Sequence, residues 1–331
     1  MRNCFCYFLF KPWNMRNLIL LSCSLILLLS SCTKQEGKLC DLEERGMQTV
    51  VCNPSLVNPR CILAISDKIV IYQDNTDYPF VVYPLPLTGE GFYEGTRGRG
   101  PGEVLRPDVR SFVGTTNGFS FVDLGGVKKS YEWDDTGGFR CVSTQDINIG
   151  AEPLNGVKEL STGYLNMSMD PSFEYRLTNK DGVGDYICSY PDFETDPNDM
   201  MPMRFNKTLT VHPDKDKFAA FYGFDPYLRI VSSEGKILKE VLLPLEGVER
   251  KPYARPFCFS GNACSDEKHI LAKFADRDIL LFNWNGKLLR RFQLDTDVSW
   301  FTYDFEKDTL YAIDITPEEG PRLVYCDHFL N

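Results

Sequence analysis

Ile279-Leu280-Leu281-Phe282-Asn283-Trp284-Asn285-Gly286-Lys287-Leu288-Leu289-Arg290-Arg291-Phe292 is an apolar run, a polar turn carrying glycine, and a second run that returns. Strand formers on both sides of such a turn make a β-hairpin. The same unit recurs as Phe80 to Tyr93 around Gly89, Ser130 to Val142 around Gly137, Tyr175 to Ile187 around Gly182 and Leu228 to Leu242 around Gly235. Successive glycines lie 48, 45, 53 and 51 residues apart, and a long even period marks repeated structural units.

Upstream of each hairpin lie two further strand-like runs, such as Thr208 to Val211 and Phe218 to Tyr222, or Phe257 to Ser260 and His269 to Phe274. Helical periodicity is nearly absent beyond Cys32. Four antiparallel strands per period make a propeller blade, so the class is all-β. A sixth unit runs through Val298 to Tyr303, Leu310 to Ile313 and Arg322 to Cys326, then stops one strand short at Asn331. Because an open edge is a liability, Gln48-Thr49-Val50-Val51-Cys52 is expected to supply the missing strand and close a six-bladed ring over residues 47–331.

The N-terminal part has a different character. Met15-Arg16-Asn17 and the apolar run from Leu18 to Leu29 have the proportions of a secretory signal, too short to span a bilayer comfortably. Leu29-Ser30-Ser31-Cys32 resembles a lipobox, in which the cysteine is diacylated before cleavage. The expectation is a signal peptide over residues 1–31 with its true start at Met15, lipid on Cys32, and a tether over 32–46. This places the domain in the envelope of a Gram-negative bacterium, with the outer membrane ranked ahead of the inner.

Cleavage leaves 33 basic against 46 acidic side chains, a charge near −13. Nucleic-acid binding draws most of its affinity from Lys and Arg on phosphate, so nucleic acid is excluded as a partner. The same charge keeps the chain off an anionic membrane surface, and anchoring falls to the lipid. Eight cysteines remain after Cys32: Cys40, Cys52, Cys61, Cys141, Cys188, Cys258, Cys264 and Cys326. None forms a CxxC pair, so they are read as buried thiols or as one or two disulfides formed after export.

Arg97-Gly98-Arg99-Gly100-Pro101-Gly102-Glu103, followed by Pro107, falls in a loop that links two blades. On these residues the chain resembles the TolB-like and NHL-like six-bladed propellers, in particular a group of exported lipoproteins carrying a Gly-Arg-Gly-Pro-Gly-Glu type motif. The likeness covers residues 47–331, with blades three and four departing most. It implies the fold and hardly any function, because members of the group mostly lack an assigned activity.

Linking loops share one face of a propeller with the turns between second and third strands, where ligands usually gather. There, Arg97, Arg99 and Arg106 are candidates for a carboxylate or phosphate patch, as are Arg250, Tyr253 and Arg255 in the loop from Pro244 to Pro256. The competing reading is a tight crossing shaped by glycine and Pro101, with the arginines paired to nearby acids. Each second strand also ends in aspartate, at Asp74, Asp123, Asp170, Asp225, Asp276 and Asp314. These are read first as turn openers and second as a ring able to hold a cation.

His212, His269 and His328 have no metal-ligand spacing, and the mature chain contains no G-x-S-x-G elbow. Trp133, Trp284 and Trp300 are assigned to packing between blades, with sugar stacking as the alternative. The leading expectation is a non-enzymatic module without cofactor that binds a protein, peptide or glycan. The alternative is a calcium-dependent hydrolase resembling the propeller lactonases and esterases, a fold-level analogy only.

Overall fold

The computed structural model describes residues 40–134, 137–149, 152–244 and 258–331. Two short strands come first, β1 (Leu42–Arg45) and β2 (Gln48–Val50). Blade 1 holds β3 (Pro59–Ile65), β4 (Lys68–Gln73), β5 (Phe80–Pro84) and β6 (Phe92–Glu94). Blade 2 holds β7 (Val113–Thr115), β8 (Gly118–Asp123), β9 (Val127–Trp133) and β10 (Phe139–Asp146). Blade 3 holds β11 (Lys158–Leu160), β12 (Gly163–Met167), β13 (Phe173–Thr178) and β14 (Gly184–Ser189). A four-residue helix, α1 (Met201–Arg204), precedes blade 4, which is β15 (Lys207–Val211), β16 (Lys217–Tyr222), β17 (Tyr227–Ser232) and β18 (Ile237–Leu242). Blade 5 is β19 (Phe259–Ser265), β20 (His269–Phe274), β21 (Asp278–Asn283) and β22 (Leu288–Leu294); blade 6 contains β23 (Val298–Asp304), β24 (Thr309–Asp314) and β25 (Arg322–Asp327).

Each blade is an antiparallel sheet in chain order, and the six form the expected all-β six-bladed propeller. Blade 6 is completed by β2, which pairs antiparallel with β25 through Thr49 and Val324. Closure therefore joins the start of the domain to its end. The strand is shorter than the 47–52 read from sequence because Val51 is 88 % exposed and leaves the sheet.

One element differs from expectation. Residues 42–45, assigned to the tether, form a fifth strand on blade 5 that runs parallel to β22, with Glu43 opposite Phe292. The outer edge of β22 was open, and Glu43 meets Arg290 there at 2.6 Å while Arg45 donates to the Phe329 carbonyl at 2.8 Å. Leu-Glu-Glu-Arg carries no apolar alternation, so pairing and charge alone make it a strand.

All five hairpin glycines have φ between +73° and +89°, the left-handed region that the turn requires. Gly235 shows a second need: a Cβ there would stand 2.9 Å from Ile187 of the preceding blade. The turn glycine thus also permits close approach between blades.

Apolar residues face the seams between neighbouring blades. Phe80, Phe112, Phe119, Phe121, Tyr131 and Phe139 fill seam 1–2, while Leu165, Tyr175, Phe218, Tyr222 and Val231 fill seam 3–4. Seam 2–3 is the smallest, with Val122, Ile147, Ile149, Val157 and Tyr164. All eight described cysteines are free thiols. Burial pushes Cys61 up to about 12, which makes it a packing residue rather than a nucleophile.

Candidate functional site

The loop carrying the glycine-rich motif is built from both sides. Arg97 turns back to blade 1, donating to the carbonyls of Thr76 at 3.0 Å and Gln73 at 2.5 Å and to the Tyr72 hydroxyl at 3.1 Å. Its guanidinium also lies over the Tyr72 ring. Glu103 folds over the glycines and accepts the Gly100 N–H at 2.7 Å, and a Cβ at Gly98 would stand 2.0 Å from its Oε2. On the other side, Asp123 accepts the N–H groups of Leu105 and Arg106 at 3.0 and 2.7 Å and pairs with Lys129 at 2.9 Å. The motif is a crossing pinned to two blades.

Arg97 is half-buried by these contacts, whereas Arg99 and Arg106 are exposed. All three line one open cleft of about 600 Å³ with Asp74, Asn75, Thr76 and Leu124. Arg250, Tyr253 and Arg255 lie outside the described residues, as does Cys32.

The six aspartates sit at turns between second and third strands, and five of them hold local partners. Asp225 holds Arg204 through two oxygens at 2.5 and 3.2 Å, both groups buried. Asp170 accepts the N–H groups of Ser172 and Phe173, Asp314 accepts those of Thr316 and the Thr296 hydroxyl, and Asp74 accepts that of Asn75. Asp276 is exposed beside Lys273. Among the described residues, no three His, Cys, Asp or Glu side chains come close enough to share a metal ion. The carboxylates do not converge into a cation ring.

His212 is buried against the Trp284 ring, 3.3 Å from Asp216; His269 lies 3.5 Å from Asp266 and His328 is exposed. Trp284 donates to the Asp266 carbonyl at 2.8 Å, Trp133 packs on Phe139 under the Lys68 ammonium, and Trp300 packs in seam 6–1. All three tryptophans serve packing positions.

The larger cavity on this face, about 850 Å³, was not anticipated. Its wall comes from three linking loops and two second-to-third turns: Asp108 to Arg110, Asn155, Asp199 to Asn206, Met169 and Phe224. Arg110 reaches across to the amide oxygens of Asn155 at 3.3 Å and Asn206 at 3.2 Å. Asp108 is occupied by backbone, accepting the N–H groups of Arg110 at 3.2 Å and Val157 at 2.8 Å. Burial lowers the Arg110 pKa, with Asp108 opposing. Lys158, next to Val157 on the innermost strand of blade 3, is lowered for the same reason. Above this polar floor stand Met200 and Met203, each 62 % exposed. The only local sequence signal was Met200-Met201-Pro202-Met203 in a loop otherwise poor in apolar residues; Arg110 lay just past the end of the motif.

No family model matches the chain, and no curated protein matches it. Its fold is similar to the solved structure of a Bacteroides fragilis protein described as exported, at 13 % identity and a TM-score of 0.51, covering 86 % of this chain and 99 % of that one. BamB of Moraxella catarrhalis (13 % identity, TM-score 0.34, covering 80 % of this chain and 68 % of that one) and the β-propeller domain of Swd1 from Myceliophteria thermophila (10 %, 0.43, 82 % and 97 %) are more distant. At these identities the likeness speaks to the fold alone.

Proposed function

We propose that the chain is a non-enzymatic binding module of the TolB-like and NHL-like lipoprotein type, held in a Gram-negative envelope by lipid on Cys32. Its partner is a protein, peptide or glycan received on the linking-loop face. One observation carries this reading: both open cavities described above lie on that face, where loops of four blades meet. Several buried charges nearby are already paired, as Lys129 is with Asp123 and Arg204 with Asp225. A rigid ring that presents two open cavities on one face suits recognition of a ligand there.

Photo-crosslinking in the native envelope tests it. A benzoyl-phenylalanine in place of Leu124 or Met203 on the linking-loop face is expected to trap one defined partner, and one in place of Asn117 or Asn285 on the opposite face to trap none. Equal trapping from both faces overturns the reading, as do stoichiometric calcium uptake and lactone or ester cleavage by purified protein. Cys32→Ser is expected to abolish palmitate labelling and release the protein from the membrane fraction.

A further inference from the structure

Arg110 is the starting point. Its Nη1 is held by two neutral amide oxygens, which fix the plane of the guanidinium, while Nε and Nη2 make no hydrogen bond among the described residues. Among the described residues, no carboxylate lies within 4 Å of Arg110, nor of the Lys158 ammonium. In a chain with 46 acidic side chains, two partly buried cations with no direct ion pair among the described residues are conspicuous. Asp108 is the nearest acid, and both of its oxygens are already used by backbone N–H groups.

We propose that this cavity is a binding site for an organic carboxylate with an apolar body, its acid group received by Nε and Nη2 of Arg110 and its body laid against Met169, Met200 and Met203. A guanidinium presents two parallel N–H groups that match the two oxygens of a carboxylate. A single negative charge is favoured over the two of a phosphate, because Asp108 and Asp199 also line the cavity and repel a dianion. Methionine supplies a soft, adaptable apolar rim that accepts bodies of varied shape. Lys158 adds positive potential behind Arg110, as its charge acts on both Asp108 and Cys61. The inference rests on the reading of the linking-loop face as the binding face.

A fatty or aromatic acid and the C-terminus of a partner peptide share this chemistry. The probes are decanoate against decanol, and a leucine-terminated tetrapeptide with free against amidated carboxyl, followed by the ¹³C-methyl NMR signals of Met200 and Met203. At least one acid is expected to shift both methyls and to bind tenfold or more tightly than its neutral twin. Binding of decanoate alone assigns the site to free acids, and binding of the free peptide alone assigns it to chain termini. Arg110→Gln is expected to bring the acid to the affinity of the neutral twin, Arg110→Lys to leave an intermediate value, and Lys287→Gln on the opposite face to change nothing. Equal affinity of acid and neutral twin in the unaltered protein overturns the inference, whatever happens to the variants. If crosslinks from Met203 persist in that case, the carboxylate site fails and the binding-module reading stands.

Discussion

Seam 1–2 and seam 3–4 occupy equivalent places in the ring and share an apolar filling, but only the second encloses a cluster of buried charges. In seam 1–2, Phe119 stacks on Tyr131 at 5.3 Å, Phe112 on Phe121 at 4.7 Å, and Phe80 meets Phe119 edge-on at 5.1 Å. Seam 3–4 encloses a fully buried Glu174 that bonds Lys207, Arg229 at 2.6 Å and the Tyr222 hydroxyl at 2.8 Å. The Lys207 ammonium also lies over the rings of Tyr175 and Tyr222, at 4.8 and 5.0 Å from their centroids. Burial pulls the Arg229 pKa down, but Tyr222 and Glu174 outweigh it and hold the guanidinium charged. Blade packing asks only that a seam be filled and its buried charges paired. Which chemistry does so is free to vary.

Ring closure sets the scale for both seams. Removing residues 46–53 takes away β2 and opens blade 6, and cooperative thermal unfolding is expected to be lost; an unchanged melting curve breaks the closure argument. Next come the seams themselves. Glu174→Ala leaves Lys207 buried without its anion and Arg229 with Glu240 alone, and is expected to cost about 3–5 kcal/mol, against about 3–5 kcal/mol for the cavity left by Phe119→Ala. Urea unfolding of the two variants measures both losses.

A sharper contrast comes from one substitution made twice. Tyr222→Phe removes a hydroxyl that serves Glu174 and is expected to cost about 1–2 kcal/mol in urea unfolding. Tyr131→Phe removes a buried hydroxyl with no partner among the described residues, and stability is expected to stay level or rise by up to about 1 kcal/mol. Equal losses at both sites would erase the distinction between the seams.

The smallest effect belongs to seam 2–3, where Glu159 of blade 3 meets Lys128 of blade 2 at 2.6 Å and Lys215 of blade 4 at 3.1 Å. Burial alone would raise its pKa, but hydrogen bonds from the two lysines outweigh it and lower the value. A carboxyl lowered on folding stabilises above its unfolded pKa of about 4.3, and the stabilisation is lost as pH falls through the folded value. Glu159→Gln is therefore expected to cost about 0.5–1 kcal/mol at pH 7, and the gap should close below about pH 4. A gap that persists at pH 3 contradicts this account.

Parts of the candidate site were legible in the sequence and parts were not. The motif from Arg97 to Glu103 announced an unusual loop because glycine and proline restrict backbone shape locally. Which arginine stays exposed was not legible, since Arg97 is consumed by Tyr72 and Gln73, more than twenty residues away. Arg110 carried no local mark either, because its meaning comes from Asn155 and Asn206, 45 and 96 residues downstream.

The sequence by itself determined the number of blades, the strand order within each and the strand that closes the ring. Those follow from alternation and from turn glycines, which act over a few residues and repeat with a fixed period. Only the tertiary structure decided that residues 42–45 become a fifth strand, that seam 3–4 encloses an ion cluster within its apolar core, and that three linking loops line a cavity over Arg110. Each depends on groups brought together from distant parts of the chain, where hydrogen-bond geometry and burial fix which charge is paired and which is left to meet a ligand.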